Sequence, residues 1–95
     1  MKTITVQQFC VHYKVPDSFI ESLSKYDLIT IIKIEKTHHI PMEQISNIER
    51  LIRLHYDLKI NFEGLDVINN LINQINKQQE EITFLSNKLE FYKEE

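Results

Sequence analysis

The chain has 95 residues, 42% apolar and 26% charged, with a formal net charge of −3, a composition that excludes both wholesale disorder and a membrane protein. Residues 1–60 carry eight Lys/Arg against seven Asp/Glu and residues 61–95 three against seven, so neither part has the basic excess that counterion release from phosphates would use. No apolar stretch approaches the roughly 18 residues of a spanning helix, and Met1-Lys2-Thr3 leads into a patterned segment, not a signal h-region; a cytoplasmic protein with no membrane partner is expected.

Thr5-Val6-Gln7-Gln8 fits a capping box, in which the Thr hydroxyl and the Gln side chain each satisfy an orphan backbone N–H. A helix from about Val6 to Tyr13 follows. Val6, Phe9, Cys10 and Tyr13 share one stripe of it, which makes the single cysteine a packing residue and leaves no internal disulfide or CxxC site. Lys14-Val15-Pro16 interrupts, because the residue before proline is pushed out of the α region. The second helix is expected from about Asp17 to Tyr26, with Ser18-x-x-Glu21 as another capping possibility and Phe19, Ile20 and Leu23 inward. Phe9, Tyr13, Phe19 and Tyr26 have the spacing to be buried between these two helices, which together form a helix-turn-helix unit.

Between Leu28 and Ile34 the period changes: Ile32 and Ile34 alternate with Lys33 and Glu35, as in a half-buried strand. Lys36-Thr37-His38-His39 is the expected turn of a short hairpin, the wing, with Ile40 returning to the core. No Asn-Gly or Asp-Gly marks the turn type. Pro41 suits a first helical residue and Glu43 the positive end of the helix dipole, so a third helix begins near Met42. Its apolar face is Ile45, Ile48, Leu51, Ile52, Leu54 and Leu58. Lys59-Ile60-Asn61 ends it, Asn61 is a natural N-cap for the next helix, and Gly64, the only glycine, would let another helix or strand approach closely.

From Leu65 onward there is no Gly or Pro, and Ile68, Ile75, Ile82 and Leu89 recur every seven residues with Leu71, Gln78, Leu85 and Tyr92 three behind. This is an a/d seam over four heptads. Ile68, Leu71, Ile75, Ile82, Leu85, Leu89 and Tyr92 are the candidate dimerisation residues; the alternative is an amphipathic helix lying on its own head. Phe84, Phe91 and Tyr92 lie beyond reach of the head and need another chain to cover them. The fold class is thus mainly α: a winged helix-turn-helix head with a small β-hairpin wing over residues 1–62, and a long C-terminal coiled-coil helix over 63–95, in one structural domain.

Chemistry is sparse. His38 and His39 are adjacent, and on a strand adjacent side chains point to opposite faces, which argues against one metal ion between them. His55 reads as a boundary residue at the head–arm junction. Ser18, Ser22, Ser24 and Cys10 lack an activating context, and a chain with one glycine has no phosphate-binding loop. A non-enzymatic protein without cofactor or metal is expected.

The order of elements resembles the DNA-binding head of the MerR regulators. Ile4 to His12, Ile52 to Leu65 and the Leu/Ile-rich arm are more closely similar to the small chaperone-modulator proteins of the CbpM type, whose members often carry proline where this chain has Glu63. That resemblance spans essentially the whole chain and implies a regulator that binds the J domain of a DnaJ-like co-chaperone of the CbpA type and keeps it from its DnaK-type chaperone. The second helix agrees: Asp17, Glu21 and Asp27 oppose only Lys25 where DNA-binding MerR proteins place Arg and Tyr, and these acids would repel phosphates and attract a basic helix. The candidate partner contacts are Asp17, Glu21 and Asp27 as an acidic face, His38 and His39 at the wing, and Arg50 and Arg53 on the third helix. A solvated, merely dipole-complementing face is the plain reading of the same acids. Two other functions stay open: a MerR-like DNA-binding transcriptional regulator and a structural coiled-coil scaffold.

Overall fold

The computed structural model describes residues 2–93. In chain order it contains β1 (Thr3–Thr5), α1 (Val6–Tyr13), α2 (Asp17–Lys25), β2 (Ile32–Ile34), β3 (Thr37–Pro41), a 3-10 turn (Met42–Gln44), α3 (Ile45–Ile52), a widened π-type turn (Arg53–Asp57) and α4 (Phe62–Lys93).

Helix α1 begins as its capping box dictates. The Gln8 N–H donates to Thr5 Oγ1 at 3.0 Å and the Thr5 N–H to Gln8 Oε1 at 3.2 Å. It ends at Lys14, a left-handed residue with φ 57°, after which the Val15 N–H donates to the Cys10 carbonyl. Helix α2 starts directly after Pro16 with no side-chain cap, so Ser18 does not cap it, and closes at Asp27, φ 59°, with the Leu28 N–H reaching back to Leu23. That 6→1 bond is a helix C-terminal motif usually built on glycine.

The wing differs from the sequence expectation. Ile34 and Thr37 are paired, so the hairpin turn is the two-residue Glu35-Lys36, with φ 47° and 68°, and Thr37, His38 and His39 belong to β3. Positive φ at both positions is what a I′ hairpin turn demands, and neither residue advertises it. Strand β1 was not expected: it pairs antiparallel with β3, giving the sheet order β1-β3-β2. Pro41 ends β3 instead of opening a helix, and α3 starts three residues later than expected, after the 3-10 turn. Gln44 holds that turn to the loop before the wing, its amide exchanging two hydrogen bonds with the Thr30 backbone.

The core contains Phe9, Cys10, Phe19, Ile20, Leu23, Ile40, Ile48, Leu51 and Leu65, joined by the loop residues Val15, Leu28 and Ile29. Ile34 and Leu58, expected inward, are exposed. Phe9 stacks on Tyr13 at 4.3 Å between ring centroids, but Phe19 and Tyr26 turn instead toward the arm, where they meet Phe62. Asn61 caps α4 through its Oδ1, which accepts from the Gly64 N–H at 2.8 Å. A β-carbon on Gly64 would lie 2.7 Å from Ile60 Cγ2, so the close neighbour is the preceding loop and not another helix or strand.

At about 1.5 Å per residue the 32 residues of α4 extend about 48 Å. This accounts for most of the molecule's 57 Å length. Leu65 is fully buried and Ile68 and Ile72 half-buried, whereas every side chain from residue 73 to 92 is exposed. The arm therefore leaves the head at about its third turn.

Tyr26 ties α2 to the arm by donating to Glu63 Oε1 at 2.7 Å. That bond holds the Glu63 carboxyl below its ordinary 4.5, assisted by a backbone N–H, and it is the main reason the Tyr26 hydroxyl is raised above 10.0. A lowered carboxyl contributes stability above its unfolded value and loses it as pH falls; a raised phenol contributes below its unfolded value and loses it as pH rises. Denaturant unfolding of the protein and its Tyr26→Phe variant should therefore differ between pH 4.5 and 10, the gap closing on either side. A gap that persists unchanged well below pH 4.5 and well above pH 10 would assign the effect to packing alone.

Candidate partner-binding groove

A groove of about 600 Å³ opens between the start of α1, the outer side of α2 and the wing. Thr5, Val6 and Gln7 contribute from the first cap, Asp17, Ile20, Glu21 and Ser24 from α2, and Ile31, Lys33, Lys36, Thr37 and His38 from the hairpin. Asp17, Ile20, Glu21 and Ser24 fall on one side of α2 because residues three and four apart are neighbours on a helix surface. Lys33 and His38 are directly paired across β2 and β3 and so stand on the same sheet face.

Of the candidate contacts, the groove brings together Asp17, Glu21 and His38, all exposed. It does not include the others. Asp27 is exposed at the left-handed residue behind α2. His39 is on the opposite face from His38, half-buried, with its Nδ1 3.0 Å from Thr3 Oγ1. Arg50 is half-buried on α3, donates from Nη2 to Asn47 Oδ1, and has a buried Nε without a partner. Arg53 is exposed at the start of the widened turn. The sequence reading missed that Lys33 and Lys36 share a groove with the α2 acids; the signal was the hairpin register, hidden by the unmarked turn.

Cys10 is buried in the core. Burial, with the Asp17 carboxylate beside it, pushes its thiol up to about 11. At the junction with α4, the rings of Phe19, Tyr26, His55 and Phe62 form a cluster in which His55 stacks on Phe62 at 4.6 Å. The Ile60 carbonyl, 2.8 Å from His55 Nδ1, can only accept, so Nδ1 carries the proton. His55 is thus a junction residue. Among the described residues no group of three His, Cys, Asp or Glu is arranged to hold a metal ion, and no helix is long and apolar enough to cross a membrane.

Two short helices joined by a tight turn, a β-hairpin wing, a third helix and a long terminal helix are the parts in their order. The sequence pattern of MerR HTH family regulatory proteins matches residues 4–87. The chain belongs to this MerR family. No curated protein and no solved structure matches it. Within the MerR architecture, α2 is the second helix of the helix-turn-helix, the element that such a unit lays in the DNA major groove. Here it faces outward with Asp17 and Glu21.

The raised thiol has a direct consequence. With a value of about 11, the thiolate of Cys10 at pH 8 is on the order of one part in a thousand. A disulfide reagent should label the folded protein at least a hundredfold more slowly than the denaturant-unfolded chain; comparable rates would mean that Cys10 is accessible.

Proposed function

We propose that this MerR-family protein is a non-enzymatic cytoplasmic regulator that binds the J domain of a DnaJ-like co-chaperone of the CbpA type and blocks its engagement of a DnaK-type chaperone. The observation that carries this reading is the pair of exposed carboxylates, Asp17 and Glu21, on the groove side of α2. At the position where a duplex reader needs cations, they oppose phosphate binding and favour a basic protein helix such as the one J domains use to reach their chaperone. The likeness of Ile4 to His12 and Ile52 to Leu65 to CbpM-type modulators is what supports a J domain as the partner. His38 is the wing contact nearest this face; Asp27, His39, Arg50 and Arg53 would contribute only if the partner extends past the groove.

A DNA-binding regulator is the second reading, favoured by MerR membership and by the exposed Lys33 and Lys36 of the wing. Calorimetric titration against a purified CbpA-type J domain at low and moderate salt separates the two. Saturable, salt-sensitive binding is expected, weakened by about 1 kcal/mol or more when Asp17 and Glu21 are both changed to Lys. Absence of J-domain binding, together with a gel shift on duplex DNA that weakens steeply with salt, would favour the second reading.

The arm is proposed to pair two copies. Leu71, Ile75, Ile82, Leu85, Leu89 and Tyr92 are each more than half exposed along one stripe, an apolar surface beyond what a monomer of this size normally leaves to water. Ile68, half-buried, is the first residue of that stripe. Changing Ile75 and Ile82 to Asn should reduce the mass in sedimentation equilibrium from dimer to monomer; an unaltered mass would put the interface elsewhere.

A further inference from the structure

The groove carries more than its acidic wall. Across from Asp17 and Glu21 stand Lys33 and Lys36, all four exposed, with the half-buried Val6 and Ile31 contributing apolar surface to the same lining. Its surface thus offers acidic, apolar and basic side chains together, the two signs on different elements. A DNA duplex would present phosphates to both walls and be repelled by one of them. A uniformly basic segment would gain on α2 and lose on the wing.

We infer that the groove takes a single helix of a protein partner whose two flanks carry opposite charge, basic residues toward α2 and acidic residues toward the wing. This inference rests on the J-domain reading and adds to it the wing lysines and the polarity of the bound helix. A helix suits the three kinds of lining because residues three and four apart build adjacent strips on one side of it, so that one apolar ridge can have a cationic and an anionic flank. An extended strand divides its side chains between two opposite faces and offers only one of them to the groove. The opposed walls also set direction: a helix docked the other way round would bring like charges together on both sides, a penalty that suppresses wrong arrangements more than it adds affinity to the right one.

The experiment uses the full chain and a purified CbpA-type J domain, titrated at low salt with the unmodified protein, Glu21→Lys, Lys33→Glu, Lys36→Glu and the exchange Glu21→Lys/Lys33→Glu. Matching thermal melts verify that each variant is folded. Each single reversal is expected to raise Kd about three- to tenfold. The exchange restores the original net charge yet should bind more weakly than either parent single, because Asp17 and Lys36 then each share their wall with an opposite charge and neither wall keeps its sign. Wild-type affinity in the exchange variant would mean that net charge alone governs binding, and unaltered affinity in both Lys33→Glu and Lys36→Glu would remove the wing from the interface; either result overturns the inference while leaving the J-domain reading in place. No binding by the unmodified protein overturns that reading, and the inference with it.

Discussion

Phe62, packed among the rings of Phe19, Tyr26 and His55, is the contact that makes a small head and a long helix one body. A head of about 60 residues buries too small a fraction of its surface to be comfortably stable alone. The arm supplies what is missing, with Leu65 fully buried in the core and Asn61 capping the helix that carries it. The junction also closes the chain electrostatically, since the His55–Ile60 bond satisfies a carbonyl at the break between helices and the Tyr26–Glu63 bond fastens α2 to the first turn of α4. Because the start of α2 forms a wall of the groove and its end is bolted to the arm, the orientation of that wall depends on the junction.

Backbone conformation imposes a second constraint. Lys14, Asp27, Glu35, Lys36 and Lys59 all have positive φ, in a chain whose one glycine does not. Left-handed conformation is unfavourable for residues with a β-carbon, by roughly 1–2 kcal/mol. At Lys14 and Asp27 helix-terminating hydrogen bonds from Val15 and Leu28 offset that cost and direct two buried apolar residues inward. Gly64 instead supplies space: its hydrogen lies against Ile60 and lets the chain turn tightly enough for Asn61 to cap α4.

These features explain which parts of the molecule were legible in the sequence. Helix α1, the break at Pro16, α2 and the arm are written in local codes, a capping box, a pre-proline restriction and a heptad repeat, and each stands where the sequence puts it. The hairpin turn was displaced because Glu35-Lys36 adopts a glycine-like geometry without glycine or asparagine, so that the register had no marker. Strand β1 is three residues long and exists only through pairing with β3, a tertiary cause invisible to any local pattern. The π-type turn at Arg53–Asp57 likewise reads as uninterrupted helix, and it is what swings Leu58 out of the core. For the groove, the acidic side of α2 was legible from charge and helical spacing, whereas its alignment with Lys33 and Lys36 needed the true register.

On the proposed function, a MerR head is turned from nucleic acid toward protein by the charge it presents. What changes is the symmetry of the charge that α2 and the wing offer. A duplex is anionic wherever it is touched, so a reader of DNA gains from cations on both elements; Lys33 and Lys36 retain that sign on the wing while Asp17 and Glu21 reverse it on α2. A carboxylate where a duplex reader carries a cation opposes phosphate and favours a basic helix. On the proposed reading the wing lysines have a use that a wholly acidic surface would not provide, because a groove of mixed sign can distinguish the two edges of a helical ligand.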